Sequence, residues 1–247
     1  MQTERPFVMS VAGYDPSGGA GLLADIKTFE QLKVQGLGVC TAITIQTESQ
    51  CLSLEWQPLE TVLSSIDILM KSYPVKVVKI GVVKDADFLS EIISTIKTNH
   101  PEAKMIWDPV LKSTSEFSFF DLNSISQLKN VIRQIDLLTP NYNEYKVLQE
   151  NHVFEVGDGS CSALIKGGHR ENMLGIDILR ENGKEISIEP NDIASAFYPK
   201  HGSGCVLSSA IAGHLAKGEN IEQACRKGKL YIEKFLTSNP TLLGFHS

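Results

Sequence analysis

The chain has 247 residues, 42% hydrophobic and 21% charged, a composition that excludes disorder as the main state and supports a sizeable buried core. Its 23 Lys and Arg stand against 29 Asp and Glu, a net charge of -6 without a basic run, which argues against a nucleic-acid partner. No apolar run reaches the roughly 20 residues of a membrane helix. The amino terminus lacks signal-peptide features and Cys40, Cys51, Cys161, Cys205 and Cys225 form no C-x-x-C pair, so a cytoplasmic globular protein without membrane contact is expected.

In chain order, β-branched apolar runs predict strands at Phe7–Ala12, Val39–Ile45, Val75–Val82, Lys104–Trp107, Leu137–Thr139 and Ala163–Lys166. Helical periods fall between them, at 19–33, 58–72, 86–98, 122–135 and 142–150, and two more follow at 204–216 and 221–236. This alternation predicts an α/β fold with a mostly parallel sheet and helices on both faces. Runs at 175–180 and 184–189 flank Glu181-Asn182-Gly183, the signature of an antiparallel hairpin. No repeat or linker interrupts the pattern, so one domain over residues 1–247 is expected. Its ligands belong at the carboxyl ends of the strands.

The loop after the first strand reads Ala12-Gly13-Tyr14-Asp15-Pro16-Ser17-Gly18-Gly19-Ala20-Gly21. Its glycines permit close backbone approach to a ligand, or simply a tight turn, and it matches neither the Rossmann fingerprint nor the P-loop. In the next helix Asp25 shares a stripe with Leu22, Phe29 and Leu32. A core-facing carboxylate needs a partner, either a buried ion pair or a ligand's hydroxyl or amine. Gln46 ends the second strand, where its amide suits the edge of a heterocycle and equally suits solvent.

Thr139-Pro140-Asn141-x-x-Glu144 has the spacing of a capping box, and also places Glu144 to hold Mg²⁺ beside nucleotide phosphates. Spacing alone does not separate the two. The strongest local signal is His201-Gly202-Ser203-Gly204-Cys205 running into a helix, where free N–H groups converge into an anion hole for a phosphoryl group. Cys205 stands at the helix start, where a lowered thiol pKa would let it act as a base; inert packing is the alternative.

These segments resemble the hydroxymethylpyrimidine kinase/phosphomethylpyrimidine kinase family of thiamin biosynthesis, in the ribokinase-like superfamily. The match is carried by AGYDPSGGAGLLADIKTF at 12–29, TAITIQT at 41–47, TPNYNE at 139–144 and HGSGCVLSSAIAGHLAKG at 201–218, supported by KIGVV at 79–83, WDPVL at 107–111 and LIKGGH at 164–169. The resemblance implies a doubly wound ribokinase-like sheet with an antiparallel edge hairpin. It implies a pyrimidine pocket at Gly13, Asp25, Thr44, Gln46 and Val82, Val82 standing where the family often has Met. Gly202, Ser203, Gly204 and Cys205 would form the catalytic anion hole, with Cys205 as base. Asn141, Lys166, Gly167 and Gly168 would line the ATP site, and Glu144 with Asp108 would hold Mg²⁺.

The implied activity is ATP-dependent phosphorylation of 4-amino-5-hydroxymethyl-2-methylpyrimidine and of its monophosphate, by a homodimer. A pyridoxal or pyridoxine kinase is the runner-up, against which Gln46 argues. A non-catalytic pyrimidine-binding protein on the same scaffold is the third reading. The short Asn151–Ala163 stretch, as if a crossover helix were missing, motivates it, and intact Cys205, Glu144 and Asp25 oppose it. Tyr14 in place of a Ser or Thr and Lys112–Phe117 in place of the usual Ser-Gly-Asp turn are further departures from the family pattern.

Overall fold

In the computed structural model, residues 4–112, 117–154, 161–168, 175–191 and 197–247 are described. The Ser113–Glu116 departure and residues 155–160 of the short segment lie outside them. The elements run β1 (Phe7–Tyr14), α1 (Gly21–Gln31), β2 (Gln35–Gln46), β3 (Cys51–Trp56), α2 (Leu59–Ser72), β4 (Val75–Ile80), α3 (Ala86–Asn99) and β5 (Lys104–Trp107). There follow α4 (Leu128–Val131), β6 (Leu137–Leu138), α5 (Tyr142–Glu150), β7 (Ser162–Ile165), β8 (Asp177–Glu181), β9 (Lys184–Ile188), α6 (Ser203–Ala216) and α7 (Ile221–Thr237).

The nine strands form one sheet in the order β3-β2-β1-β4-β5-β6-β7-β8-β9. All pairings from β2 to β7 are parallel, and the edges are antiparallel: β3 on β2, and the expected hairpin β8–β9 on β7. Strand side chains alternate between two cores, as period 2 requires. Val8, Val77, Ile106, Leu137 and Leu164 pack under α1, α6 and α7. Met9, Val78, Met105, Leu138 and Ile165 pack under α2 to α5.

Two expectations change. β3 was not foreseen, because Cys51–Trp56 pairs along one side only and leaves Leu52 and Ser53 exposed, so no continuous apolar run marks it. The helix expected at 122–135 is a 3₁₀ turn at Leu122–Gln127, the single α turn α4, and a second 3₁₀ turn at Ile132–Gln134. The helix expected at 142–150 is α5, which carries the chain from β6 to its parallel neighbour β7, and residues 155–160 of the short stretch after it lie outside the described residues.

Candidate active site

The sheet's chain order reverses between β1 and β4, and the crevice outside the carboxyl ends of strands at such a switch point is where open α/β sheets bind ligands. Gly13 lies there. A β-carbon in its place would stand 3.7 Å from the Ala42 carbonyl oxygen and 3.9 Å from Val82 Cβ. Two threonines tie the strand ends together: Thr41 Oγ1 donates to the Val82 carbonyl at 2.8 Å and Thr44 Oγ1 to the Tyr14 carbonyl at 3.0 Å. Gln46, half-buried, follows Thr44 by two residues on the same face of β2. Gly13, Thr44 and Val82 are thus brought together, with Gln46 one step further out.

Asp25 is placed differently from its expected contact with a ligand. It has no solvent exposure, and both carboxylate oxygens are taken by the protein. Ser10 Oγ donates at 2.5 Å, Ser209 Oγ at 2.6 Å, and Lys79 Nζ bridges both oxygens at 2.9 and 3.1 Å. The buried ion pair is the alternative that the fold realises. Burial opposes the Lys79 charge, but Asp25, with Cys205 and Asp108 nearby, more than offsets this and holds its pKa above that of an ordinary lysine.

A second buried pair lies alongside. Asp108, just past β5, accepts from Lys166 Nζ at 2.7 Å, Thr139 Oγ1 at 3.1 Å and Ser208 Oγ at 3.3 Å. Burial works to raise the Asp108 pKa, yet Lys166 and Lys79 keep it below the usual carboxylate range. The Asn141–Glu144 capping box is complete: Glu144 N–H donates to Asn141 Oδ1 at 2.9 Å and Asn141 N–H to Glu144 Oε2 at 2.7 Å. Burial nevertheless pushes the Glu144 carboxyl up to about 7, Asp108 adding to the rise against Lys166 and the backbone of Asn141 and Leu111.

Two neighbouring buried carboxylates, one with a raised pKa, suit a divalent cation that keeps water and phosphate oxygens in its shell. Among the described residues no group of three His, Cys, Asp or Glu side chains could hold a metal without such help. Beyond Lys166, the Gly167 N–H donates to Asp177 Oδ1 at 2.8 Å, and Lys229 Nζ holds the other oxygen of that carboxylate at 2.9 Å. The Gly167–Gly168 turn is therefore anchored through Gly167, and no atom of the described residues would lie within 4 Å of a β-carbon at Gly168.

The helix α6 starts from Gly202 in the left-handed region (φ 72, ψ 13) and has no side-chain cap. A β-carbon at Gly202 would run into the Gly19 carbonyl, so only glycine serves there. One at Gly204 would stand 3.1 Å from Lys166 Nζ, so the first turn of α6 abuts the Lys166–Asp108 pair. Cys205 does not have the lowered pKa expected at a helix start. Burial pushes its thiol up to about 11 against the pull of Lys79, and Asp108 and Asp25 add to the rise. The thiol keeps its proton at neutral pH, which removes the resting thiolate base.

Sequence reasoning missed Lys79, which pairs with Asp25, and Ser10, Ser208 and Ser209, whose hydroxyls donate to the two aspartates. Their only signals were a lysine inside the apolar run of β4 and paired serines in the apolar helix α6.

Comparisons with known proteins agree with this fold. The family model described as phosphomethylpyrimidine kinase matches residues 15–246. A hydroxymethylpyrimidine/phosphomethylpyrimidine kinase of Aquifex aeolicus is 29% identical over 246 residues, covering 95% of each chain. The crystal structure of a phosphomethylpyrimidine kinase from Clostridium difficile has a TM-score of 0.73 at 28% identity, covering 92% of this chain and 98% of that one. A pyridoxal kinase from Staphylococcus aureus, solved with ADP, has a TM-score of 0.81 at 19% identity over 96% of this chain and 89% of that one, a likeness of fold alone.

Proposed function

The chain belongs to the phosphomethylpyrimidine kinase family, and from that premise we propose that it transfers the γ-phosphoryl group of ATP to 4-amino-5-hydroxymethyl-2-methylpyrimidine and then to its monophosphate. It is a phosphotransferase, as its relatives are named, and it serves thiamin biosynthesis, after which one of them is named. One observation carries the residue assignment: the buried Asp108–Lys166 pair lies against the uncapped first turn of α6, beside the switch-point crevice at Gly13.

Phosphoryl transfer through a loose transition state asks for positioning and charge neutralisation more than for covalent chemistry. Gly13, Thr44, Gln46 and Val82 hold the pyrimidine, the Gln46 amide meeting its amino and ring-nitrogen edge. Asp25 shapes this pocket from beneath through Lys79, rather than by touching the ring. Lys166, Gly167, Gly168 and Asn141 form the nucleotide wall, Lys166 reaching the phosphates. Backbone N–H groups of Gly202 to Cys205 receive the transferring group, whose charge the helix terminus favours. Cys205 adds a protonated thiol to that hole.

Glu144 and Asp108 would hold Mg²⁺, which when bound neutralises charge on the transferred phosphoryl group. The oxygen of the hydroxymethyl group bonds to phosphorus, the bond to ADP breaks, and the hydroxyl proton is released. The enzyme works as a single-domain homodimer in the cytoplasm on small molecules, without nucleic acid.

Release of ADP on mixing the protein with MgATP and the pyrimidine alcohol tests this reading. Turnover on the alcohol and its monophosphate is expected. Saturable binding without ADP release would leave a pyrimidine-binding protein, and faster turnover on pyridoxal would transfer the assignment to B6 vitamers.

A further inference from the structure

The first turn of α6 presents a puzzle of support. Helices α3, α5 and α7 each start with a side chain bonded to their first free N–H groups, which fixes the helix end. Helix α6 starts without one, as do α2, α4 and α1, the last of which leaves the Gly-rich loop. An anion hole needs its N–H groups uncapped, yet held to within a fraction of an ångström. Something other than a cap must hold them.

The structure places one contact there. Asp15 is buried, 2% exposed, and gathers the loop around itself. Its Oδ1 accepts the Ser17 N–H at 2.8 Å, and its Oδ2 accepts Ser17 Oγ at 2.8 Å and the Ala20 N–H at 2.9 Å. The same Oδ2 meets His201 Nε2 at 2.8 Å, across the gap between the two loops. His201 directly precedes Gly202, and its backbone N–H is fastened at 2.9 Å to the Leu242 carbonyl of the C-terminal segment. The loops also touch without side chains, because Gly202 packs on the Gly19 carbonyl. His201 Nδ1 is buried without a hydrogen-bond partner. Such an orphan is costly, so the ring is held here for the bond its other nitrogen makes.

We propose that His201 and Asp15 form a positioning latch that holds the α6 anion hole in register with the Gly13 loop, so that phosphoryl group and acceptor hydroxyl meet in line. Neither residue touches the reacting atoms. The inference rests on the anion-hole reading of Gly202 to Cys205 given above. Burial works against ionised Asp15, but hydrogen bonds from His201 and Ser17 bring its carboxyl down to about 2, so the latch keeps its anionic half across the working pH range.

The test compares wild type with His201→Ala, His201→Gln, Asp15→Asn and the double variant Asp15→Asn/His201→Ala. Measurements are kcat, both KM values, melting temperature and backbone hydrogen exchange. Glutamine can place an amide N–H near the position of Nε2, whereas alanine cannot. His201→Ala is expected to lower kcat about a hundredfold, the scale of an ångström's misplacement, with both KM values within about threefold. His201→Gln should recover most of that loss. The double variant should be no slower than the slower single one, because both break one bond. His201→Ala should also speed exchange at both 15–21 and 202–205. A folded His201→Ala with near wild-type kcat and unchanged exchange in either loop would overturn the latch. If the wild type transfers no phosphoryl group, the kinase reading fails, and the exchange data alone still decide for or against the latch.

Discussion

Lys79 Nζ lies 2.9 Å from Asp25 Oδ2, and neither side chain has any solvent exposure. The pair joins β4 to α1, and Ser209 of α6 completes it. Breaking a buried pair by removing one partner leaves an uncompensated charge, which typically costs about 3–5 kcal/mol. Lys79→Met should therefore destabilise the protein on that scale in urea unfolding, and Lys79→Met/Asp25→Leu should recover part of the loss. A single variant as stable as wild type would mean that Asp25 is not held by this pair.

Glu144 links stability to pH. Burial raises its folded pKa from 4.5 to about 7, so the folded state holds the proton more tightly than the unfolded chain. The resulting contribution is fully present below pH 4.5 and lost as pH rises through 7. Glu144→Gln keeps an amide at the capping position and removes the charge. It should match wild type near pH 4.5 and exceed it in stability at pH 8, by at most about 3 kcal/mol, while Mg²⁺ affinity and turnover fall. Urea midpoints at both pH values and an Mg²⁺ titration check the two halves separately.

Cys205 should rest as a protonated thiol and react through its small thiolate fraction. A pKa of about 11 leaves about one molecule in ten thousand ionised at pH 7. Its alkylation, followed by mass spectrometry, should rise about tenfold per pH unit without a plateau below pH 10. Cys205→Ser supplies a hydroxyl donor in place of the thiol and should keep turnover within about tenfold of wild type. A loss of a hundredfold or more would restore the base role, since general bases contribute on that scale.

Gln46→Ala removes one amide from the pyrimidine edge and leaves the Asp108–Lys166 side whole. The KM for the pyrimidine alcohol should rise about tenfold or more, as expected when a ligand's polar edge loses its partner. The KM for ATP should stay within about twofold. Equal rises in both constants would place Gln46 outside the pocket.

Much of this was legible along the chain. The parallel strands are continuous apolar runs because both faces are covered, and the hairpin β8–β9 announces itself through Asn182-Gly183. The Gly-rich loop and the segment around Gly202 are local backbone features, so their glycines mark them directly. Asn141 and Glu144, three residues apart, make a contact that spacing alone can foresee.

What the chain could not show was every contact between distant residues. Asp25 carries the same letter whether it faces a ligand or Lys79, 54 residues away, and only the packing of β4 against α1 decides it. Asp15 and His201 are 186 residues apart, so their bond exists only because α6 returns to the first loop. Cys205 shows the same limit in its chemistry. A helix start alone lowers a thiol's pKa, but burial beside Asp108 and Asp25 raises it, and the balance belongs to the assembled site. Backbone period and turn chemistry are short-range and can be read in order along the chain, whereas charge pairing and burial are set by residues that meet only after the sheet is built.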